Sequence, residues 1–153
     1  MNLHLNTPWQ RGHTIVELMV VLMVMITLTL VAYPSYQKMI MQARRAQGRA
    51  SLHATLLQQE RYYTSHNIYF AFNASTADSP FKWWSGDASD DSYYEIQAEH
   101  CTDRSLHECV LLSAIPGTEN VRIHSDPVCG NLMLDSTGRK TYSEGTEPNS
   151  SCW

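Results

Sequence analysis

Residues 11–33, RGHTIVELMVVLMVMITLTLVAY, place one charge inside an otherwise apolar run. Arg11 and Gly12 lead into the run, Glu17 interrupts it near its start, and no other charged side chain appears before Lys38. That interval of about 20 residues is what a helix needs to cross a hydrocarbon core. An ionised carboxylate in such a segment costs roughly 2–3 kcal/mol or more, so Glu17 is expected to have a use. The bland alternative is a signal-anchor helix whose edge acid snorkels to the interface. A cleavable secretory signal competes less well. It needs an apolar core of roughly 7–15 residues ending at small residues, whereas this run is longer and its far end reads Leu30, Val31, Ala32, Tyr33, Pro34.

Working outward, the sequence from about Thr14 to Tyr63 lacks loop clusters and predicts one long helix. Pro34 removes a backbone donor and is expected to kink or locally melt it. Gly48 weakens it by about 1 kcal/mol relative to Ala. The first half is apolar all round. In the second half Ala43, Ala46, Ala50, Ala54 and Leu57 recur at steps of three and four, with Leu56 and Tyr63 beside them. That stripe is expected to lie on a sheet. Such a helix is embedded at one end and docked at the other.

A connection over about Thr64–Asp91 follows, rich in Ser, Ala, Asp and Asn but holding Phe70, Phe72, Phe81, Trp83 and Trp84. Strand patterns cover Ser92–His100, Cys109–Ile115, Gly130–Asp135 and Arg139–Tyr142, the last two flanking the compact turn Ser136-Thr137-Gly138. There are no internal repeats. About 90 residues follow the helical region of this 153-residue chain, enough for one small core that benefits from stapling.

The staples are in the last third. Cys101, Cys109, Cys129 and Cys152 form an even set, which in a small exported domain indicates two disulfides and an oxidising compartment. Three pairings exist on paper. Cys101–Cys109 with Cys129–Cys152 is favoured because each pair closes a local loop, at about 2–4 kcal/mol per closure. A zinc site from Cys101, His107 and Cys109 is the rival, and it lacks the close Cys pairs of structural zinc. Orientation is contested. Lys38, Arg44, Arg45 and Arg49 follow the span while Arg11 precedes it, so a count of positive charge puts the long domain in the cytoplasm. The cysteines put it outside and carry more weight. From Tyr62 onward the chain has 5 basic and 13 acidic residues, so a basic stem leads into an acidic head.

The frame Gly12, His13, Thr14, Ile15, Val16, Glu17 resembles the processing site of type IV prepilins: a short polar leader, a basic residue, Gly, then an apolar stretch with Glu fifth after the cut. The resemblance implies cleavage between Gly12 and His13 by a membrane-embedded prepilin peptidase and N-methylation of the new terminus. His13 departs from the Phe or Met usual there. The order of elements is similar to the pilin fold, an α+β arrangement with a long N-terminal helix on a four-stranded antiparallel sheet and a disulfide-closed C-terminal region. Gln59-Glu60-Arg61-Tyr62-Tyr63 with Tyr69, and Cys129-Gly130-Asn131-Leu132 with Gly138 and Cys152-Trp153, resemble PilE-type minor pilins. The implied organisation is a leader over 1–12, an apolar transmembrane and filament-core helix over 13–36, and a periplasmic head over 37–153.

What the resemblance implies is assembly rather than catalysis, with no enzyme activity and no cofactor. The expected protein is a minor pilin, a structural subunit incorporated into or priming a type IV pilus used for adhesion, twitching motility or DNA uptake. Its location is the inner membrane and then the pilus. Its partners are other pilin subunits, the prepilin peptidase and the inner-membrane assembly platform. Glu17 is assigned to assembly, against the amine freed at His13. Two alternatives remain: a DNA-uptake receptor of the ComP type, and a pseudopilin of a type II secretion system. DNA ranks behind pilins as a partner because affinity for it comes largely from Lys and Arg at phosphates, and the head is acidic. Arg139 and Lys140 are its one basic spot inside the Cys129–Cys152 loop. Asp87, Asp90 and Asp91 are weighed as calcium ligands and read as a solvated loop. Trp83 and Trp84 are read as packing.

Overall fold

In the computed structural model, which describes residues 14–144 and 151–153, the apolar run is helical from its start. The Thr14 Oγ1 accepts the Glu17 backbone N–H at 3.2 Å, satisfying one donor that a helix start leaves open. From there α1 runs Ile15–His66, with Pro34 inside it and no interruption of the helix at that point. A proline removes one hydrogen bond, and the flanking turns keep theirs. Gly12 and His13, the expected cleavage and methylation positions, lie outside the described residues.

The described residues fall into two units, one ending at Met39 and the other Ile40–Trp153. In the first, every side chain from Ile15 to Met39 is exposed. In the second, strands β1 (Tyr94–His100), β2 (Val110–Pro116), β3 (Leu132–Asp135) and β4 (Lys140–Tyr142) form one antiparallel sheet in sequence order. The register pairs Ile96 with Ala114, Leu112 with Leu134, and Leu132 with Tyr142. Because side chains alternate along a strand, Tyr94, Ile96, Ala98, Leu112, Ala114, Leu132 and Leu134 share one face, and all are buried. With Leu52 of α1 and Phe72 and Phe81 of the long connection, they form the core.

The helix face that docks differs from the expected alanine stripe. Arg45, Gly48, Leu52, Thr55 and Gln59 are its buried residues, whereas Ala43, Ala46, Ala50, Ala54 and Leu57 are exposed. Hydrophobic periodicity misassigned the face because three of its members are polar and one has no side chain. Gly48 lets the Tyr94 ring approach so closely that a Cβ there would lie 3.0 Å from its Cδ2. Gln59 is buried at no cost in hydrogen bonds: its Nε2 donates to the Phe70 carbonyl at 2.6 Å and its Oε1 accepts the Phe70 N–H at 2.9 Å.

The residues after α1 are tied back to it in the same way. Tyr69 Oη donates to Glu60 at 2.9 Å, its ring stacks on Tyr63 at 4.5 Å, and Tyr63 Oη donates to the His107 carbonyl at 2.9 Å. Phe72 bridges to Ala98 and Trp84 to Glu95, so the long connection adds two short pairings along the edge of β1. The structure joins Cys101 to Cys109 across the mouth of the β1–β2 hairpin, with Cα atoms 5.5 Å apart. It joins Cys129 to Cys152, 5.7 Å apart, around the β3–β4 hairpin. These bonds consume the thiolates that the zinc alternative required.

The reassigned face gives a direct test. Gly48→Leu forces side-chain carbon into the Tyr94 ring and is expected to destabilise the protein by about 1–3 kcal/mol through overpacking, despite better helix propensity. Ala50→Leu, on the exposed face, is expected to change stability by less than about 0.5 kcal/mol. Thermal unfolding of both variants in detergent decides which face is docked.

Candidate functional site

Two features stand out, one in each unit. The first is the apolar surface of the N-terminal unit. Ile15, Val16, Val31 and Met23 are all 70% or more exposed, and none of the candidate membrane span is buried. Glu17 sits in the first turn of α1 and is exposed, where a carboxylate faces the positive end of the helix dipole. Past the middle of the span, Thr27 Oγ1 donates to the Val24 carbonyl at 2.9 Å and Thr29 Oγ1 to the Met25 carbonyl at 2.7 Å. Such back-bonding hides the hydroxyls from an apolar surrounding. Tyr33 and Tyr36, on either side of Pro34, are amphipathic rings of the kind found at membrane interfaces.

The second is a polar clamp between α1 and the β2–β3 connection. Arg45 Nε and Nη2 donate to the two carboxylate oxygens of Asp126 at 2.6 and 2.7 Å, a bidentate pair. Both side chains are almost wholly buried, at 5% and 0% exposed. Asp126 Oδ1 also accepts the N–H groups of Val128 and Cys129 at 3.2 and 3.1 Å, and Tyr94 Oη reaches Oδ2 at 3.4 Å. Arg45 Nη1 continues to the Ser151 carbonyl and hydroxyl at 3.4 and 3.3 Å, beside Cys152. One arginine therefore holds both chain segments that the Cys129–Cys152 bond joins.

Burial alone would raise the Asp126 carboxyl, but the Arg45 bond and the Cys129 N–H hold it below the usual range. The Arg45 guanidinium is held above its usual value by the hydrogen bond to Asp126, against the effect of burial. Burial likewise drives the Tyr94 hydroxyl up, so it stays a neutral donor. Next to this pair, Arg44 stacks on the Tyr93 ring at 4.5 Å and meets His124, whose imidazole is buried. None of Arg44, Arg45, His124 and Asp126 was marked as a site by the sequence. Their one advance signal was Asp126-Pro127-Val128-Cys129, an acid-proline turn leading into a cysteine.

The basic spot expected at Arg139 and Lys140 lies on the β3–β4 hairpin. Arg139 is 69% exposed and donates to Asp135 at 3.0 Å, while Lys140 lies 5.4 Å from the Trp153 ring centroid. Asp135 accepts from Thr137 as well, and these bonds hold its carboxyl low although burial opposes them. Arg139 also lines a polar cleft of about 370 Å³ with Thr102, Arg104 and Thr137, beside the Cys101–Cys109 bridge. Arg104 is the cation that sequence reading missed, because it joins Arg139 only when the two hairpin ends fold together.

Elsewhere the side chains are occupied structurally. Arg122 donates to Asp91 at 2.8 Å and to the Asp90 carbonyl at 3.0 Å, which fixes the loop weighed as a calcium site. Among the described residues no group of three or more His, Cys, Asp or Glu side chains is placed to hold a metal ion. Trp83 and Trp84 meet edge to face at 5.0 Å, and Trp84 Nε1 donates to the Asp87 carbonyl at 3.3 Å.

A long apolar helix whose second part docks on a four-stranded antiparallel sheet closed by two disulfides is the architecture of a type IV pilin. The family model described as type IV minor pilin ComP, DNA uptake sequence receptor, matches residues 34–133, well over half of the chain. This chain belongs to that family of type IV minor pilins. A solved structure, the high-resolution structure of a type IV pilin from Shewanella oneidensis, aligns at 27% identity over 73% of this chain and 96% of that one, with a TM-score of 0.44. No curated protein matches.

The clamp predicts a large effect from a small change. Arg45→Ala leaves the buried Asp126 carboxylate without its cation and is expected to cost about 3–5 kcal/mol. Because the folded Asp126 pKa lies below the unfolded one, its contribution is complete above about pH 4 and is lost as pH falls through the folded value. In thermal unfolding, the gap between Arg45→Ala and the native protein is therefore expected to shrink in strong acid.

Proposed function

We propose that this minor pilin is made as a prepilin, cut between Gly12 and His13, and held in the inner membrane by its apolar helix with the Ile40–Trp153 unit in the periplasm. It then enters an extracellular type IV pilus as a structural subunit. The observation that supports this is the N-terminal unit itself, in which every side chain of a membrane-length apolar helix is exposed. Such a surface needs lipid or other helices around it. Oxidised cysteines fit an exported head.

In a bundle of these helices the Glu17 carboxylate needs a cation. By sequence the nearest is the amine freed at His13, on the same subunit or a neighbour. A subunit in the wrong register leaves that acid uncompensated, a penalty of several kcal/mol. The prepilin peptidase, the inner-membrane assembly platform and other pilins are the partners this route requires. A type II secretion pseudopilin would use the same leader and helix. Membership of a minor pilin family ranks the pilus ahead of it. Intact-mass measurement of protein purified from membranes is expected to show loss of Met1–Gly12, with Gly12→Val blocking it. Retention of the leader in cells with an active peptidase would overturn the prepilin assignment.

A second role, contact with duplex DNA, is favoured by the receptor named in the family description and by the cleft that brings Arg104 beside Arg139. Phosphate is the group that such a pair of cations meets whatever the DNA sequence. With 13 acidic residues against 5 basic ones from Tyr62 onward, binding is expected to be weak and steeply salt-dependent. In a mobility-shift assay with the full chain in detergent, a shift at low salt is expected to disappear at physiological salt. It is also expected to disappear in the triple variant Arg104→Ala, Arg139→Gln, Lys140→Ala. Tight binding at physiological salt, unaffected by that variant, would place the DNA surface elsewhere and rank receptor above structural subunit.

A further inference from the structure

The β2–β3 connection is fastened to α1 by two consecutive arginines with unlike partners. Arg45 meets the Asp126 carboxylate, whereas Arg44 meets an imidazole: its Nη1 lies 3.0 Å from His124 Nδ1. A guanidinium has donors only, so the nitrogen facing it must be the acceptor. His124 is then neutral, with its proton on Nε2. That atom is buried and without a hydrogen-bond partner among the described residues. The residue is 7% exposed, and the Tyr93 and Tyr94 rings meet it edge-on at 5.8 and 5.9 Å. Its backbone is packed as tightly as its ring. Gly117, at φ +61°, lies where any Cβ would run into the His124 carbonyl and amide.

We propose that His124 is a proton-sensitive latch: neutral, it pins the β2–β3 connection to α1 through Arg44, and on protonation in mild acid it loses that bond and loosens the connection. The groups facing it leave no other outcome. From α1 come Arg44 and Arg45, both cationic. From β1 and the residue before it come Tyr94 and Tyr93, both uncharged, which meet the imidazole through their rings. From its own connection comes Asp126, the one anion, whose oxygens are already taken by Arg45 and by the N–H groups of Val128 and Cys129. An imidazolium would place a second positive N–H donor against the Arg44 guanidinium with no carboxylate free to receive it. Burial first, and Arg44 second, accordingly hold the imidazole below its ordinary value.

The sign follows. The unfolded chain takes up the proton near pH 6.5 while the folded chain resists it. The latch's contribution is therefore complete above about pH 6.5 and declines as pH falls toward the folded value. The Arg45–Asp126 pair survives this range and fails only near pH 4 and below, so the connection stays tethered at Asp126 and at the Cys129–Cys152 bond. What loosens is the segment from about 118 to 125, which keeps the bonds of Thr118 and Asn120 to Glu95 and of the Arg122 N–H to the Ser92 carbonyl. It presents Ile123, 95% exposed, and Arg122, which is bonded to Asp90 and Asp91.

Hydrogen exchange of the full chain in detergent, corrected for the intrinsic pH dependence of exchange, tests the latch between pH 7.5 and 5. Protection in peptides covering 118–125 is expected to fall about tenfold or more, with strands β1 and β2 unchanged. His124→Gln, whose amide oxygen accepts from Arg44 without titrating, is expected to keep that protection flat. NMR titration of the His124 ring in the native protein is expected to give a midpoint below 6.5, moving upward in Arg44→Met. Equal acid-induced loss in His124→Gln overturns the latch, and so does a native His124 midpoint at or above 6.5. If His124→Gln does not fold, the native-protein titration and exchange decide by themselves.

Discussion

The buried bidentate pair between Arg45 and Asp126 is the interaction on which the second unit depends. Taking two charges out of water costs several kcal/mol per ion, and only good geometry with further hydrogen bonds repays it. Here the repayment is structural as well as energetic. Asp126 caps the turn into Cys129, Arg45 reaches Ser151 beside Cys152, and Tyr94 closes the set from the sheet. A disulfide alone would restrict the unfolded chain without deciding how its loop sits on the helix. The ion pair supplies that decision, and the Cys129–Cys152 bond holds the two segments it selects.

The same economy governs the close approach of helix and sheet. Gly48 gives up helix propensity so that the Tyr94 ring can lie against the backbone of α1. That contact carries the Tyr94 hydroxyl to Asp126. Glycine, tyrosine, aspartate and arginine therefore act as one assembly although they come from three separate stretches of chain. The alanines that periodicity assigned to the core face outward instead. In a subunit that assembles with other pilins, an exposed strip of small side chains on a rigid helix leaves room for close neighbours.

The N-terminal unit follows a different rule. Its surface is apolar on all sides, the Thr27 and Thr29 hydroxyls are turned back onto carbonyls, and its acid is confined to the first turn. That design suits a helix surrounded first by lipid and then by other helices, where every polar group must be satisfied internally or by a partner. Between Glu17 and Lys38 the sequence carries no charged side chain, a mild basic excess follows, and the acidic excess lies in the head.

By itself the sequence determined what depends on local pattern. A long stretch without loop residues made the long helix, alternation and turn residues made the four strands, and the Gly12–Glu17 frame with the Gln59–Tyr69 and Cys129–Trp153 stretches identified the kind of protein. These were legible because each is set within a few residues of chain. Tertiary structure alone decided which face of α1 is docked. Arg45 and Gln59 read as solvent residues until Asp126 and the Phe70 backbone, from 11 to 81 positions away, satisfy them. It alone brought His124 against Arg44, 80 positions apart, and Arg104 beside Arg139. A buried polar group is stable only with its partner in place, and a partner distant in sequence leaves no periodic trace in either segment.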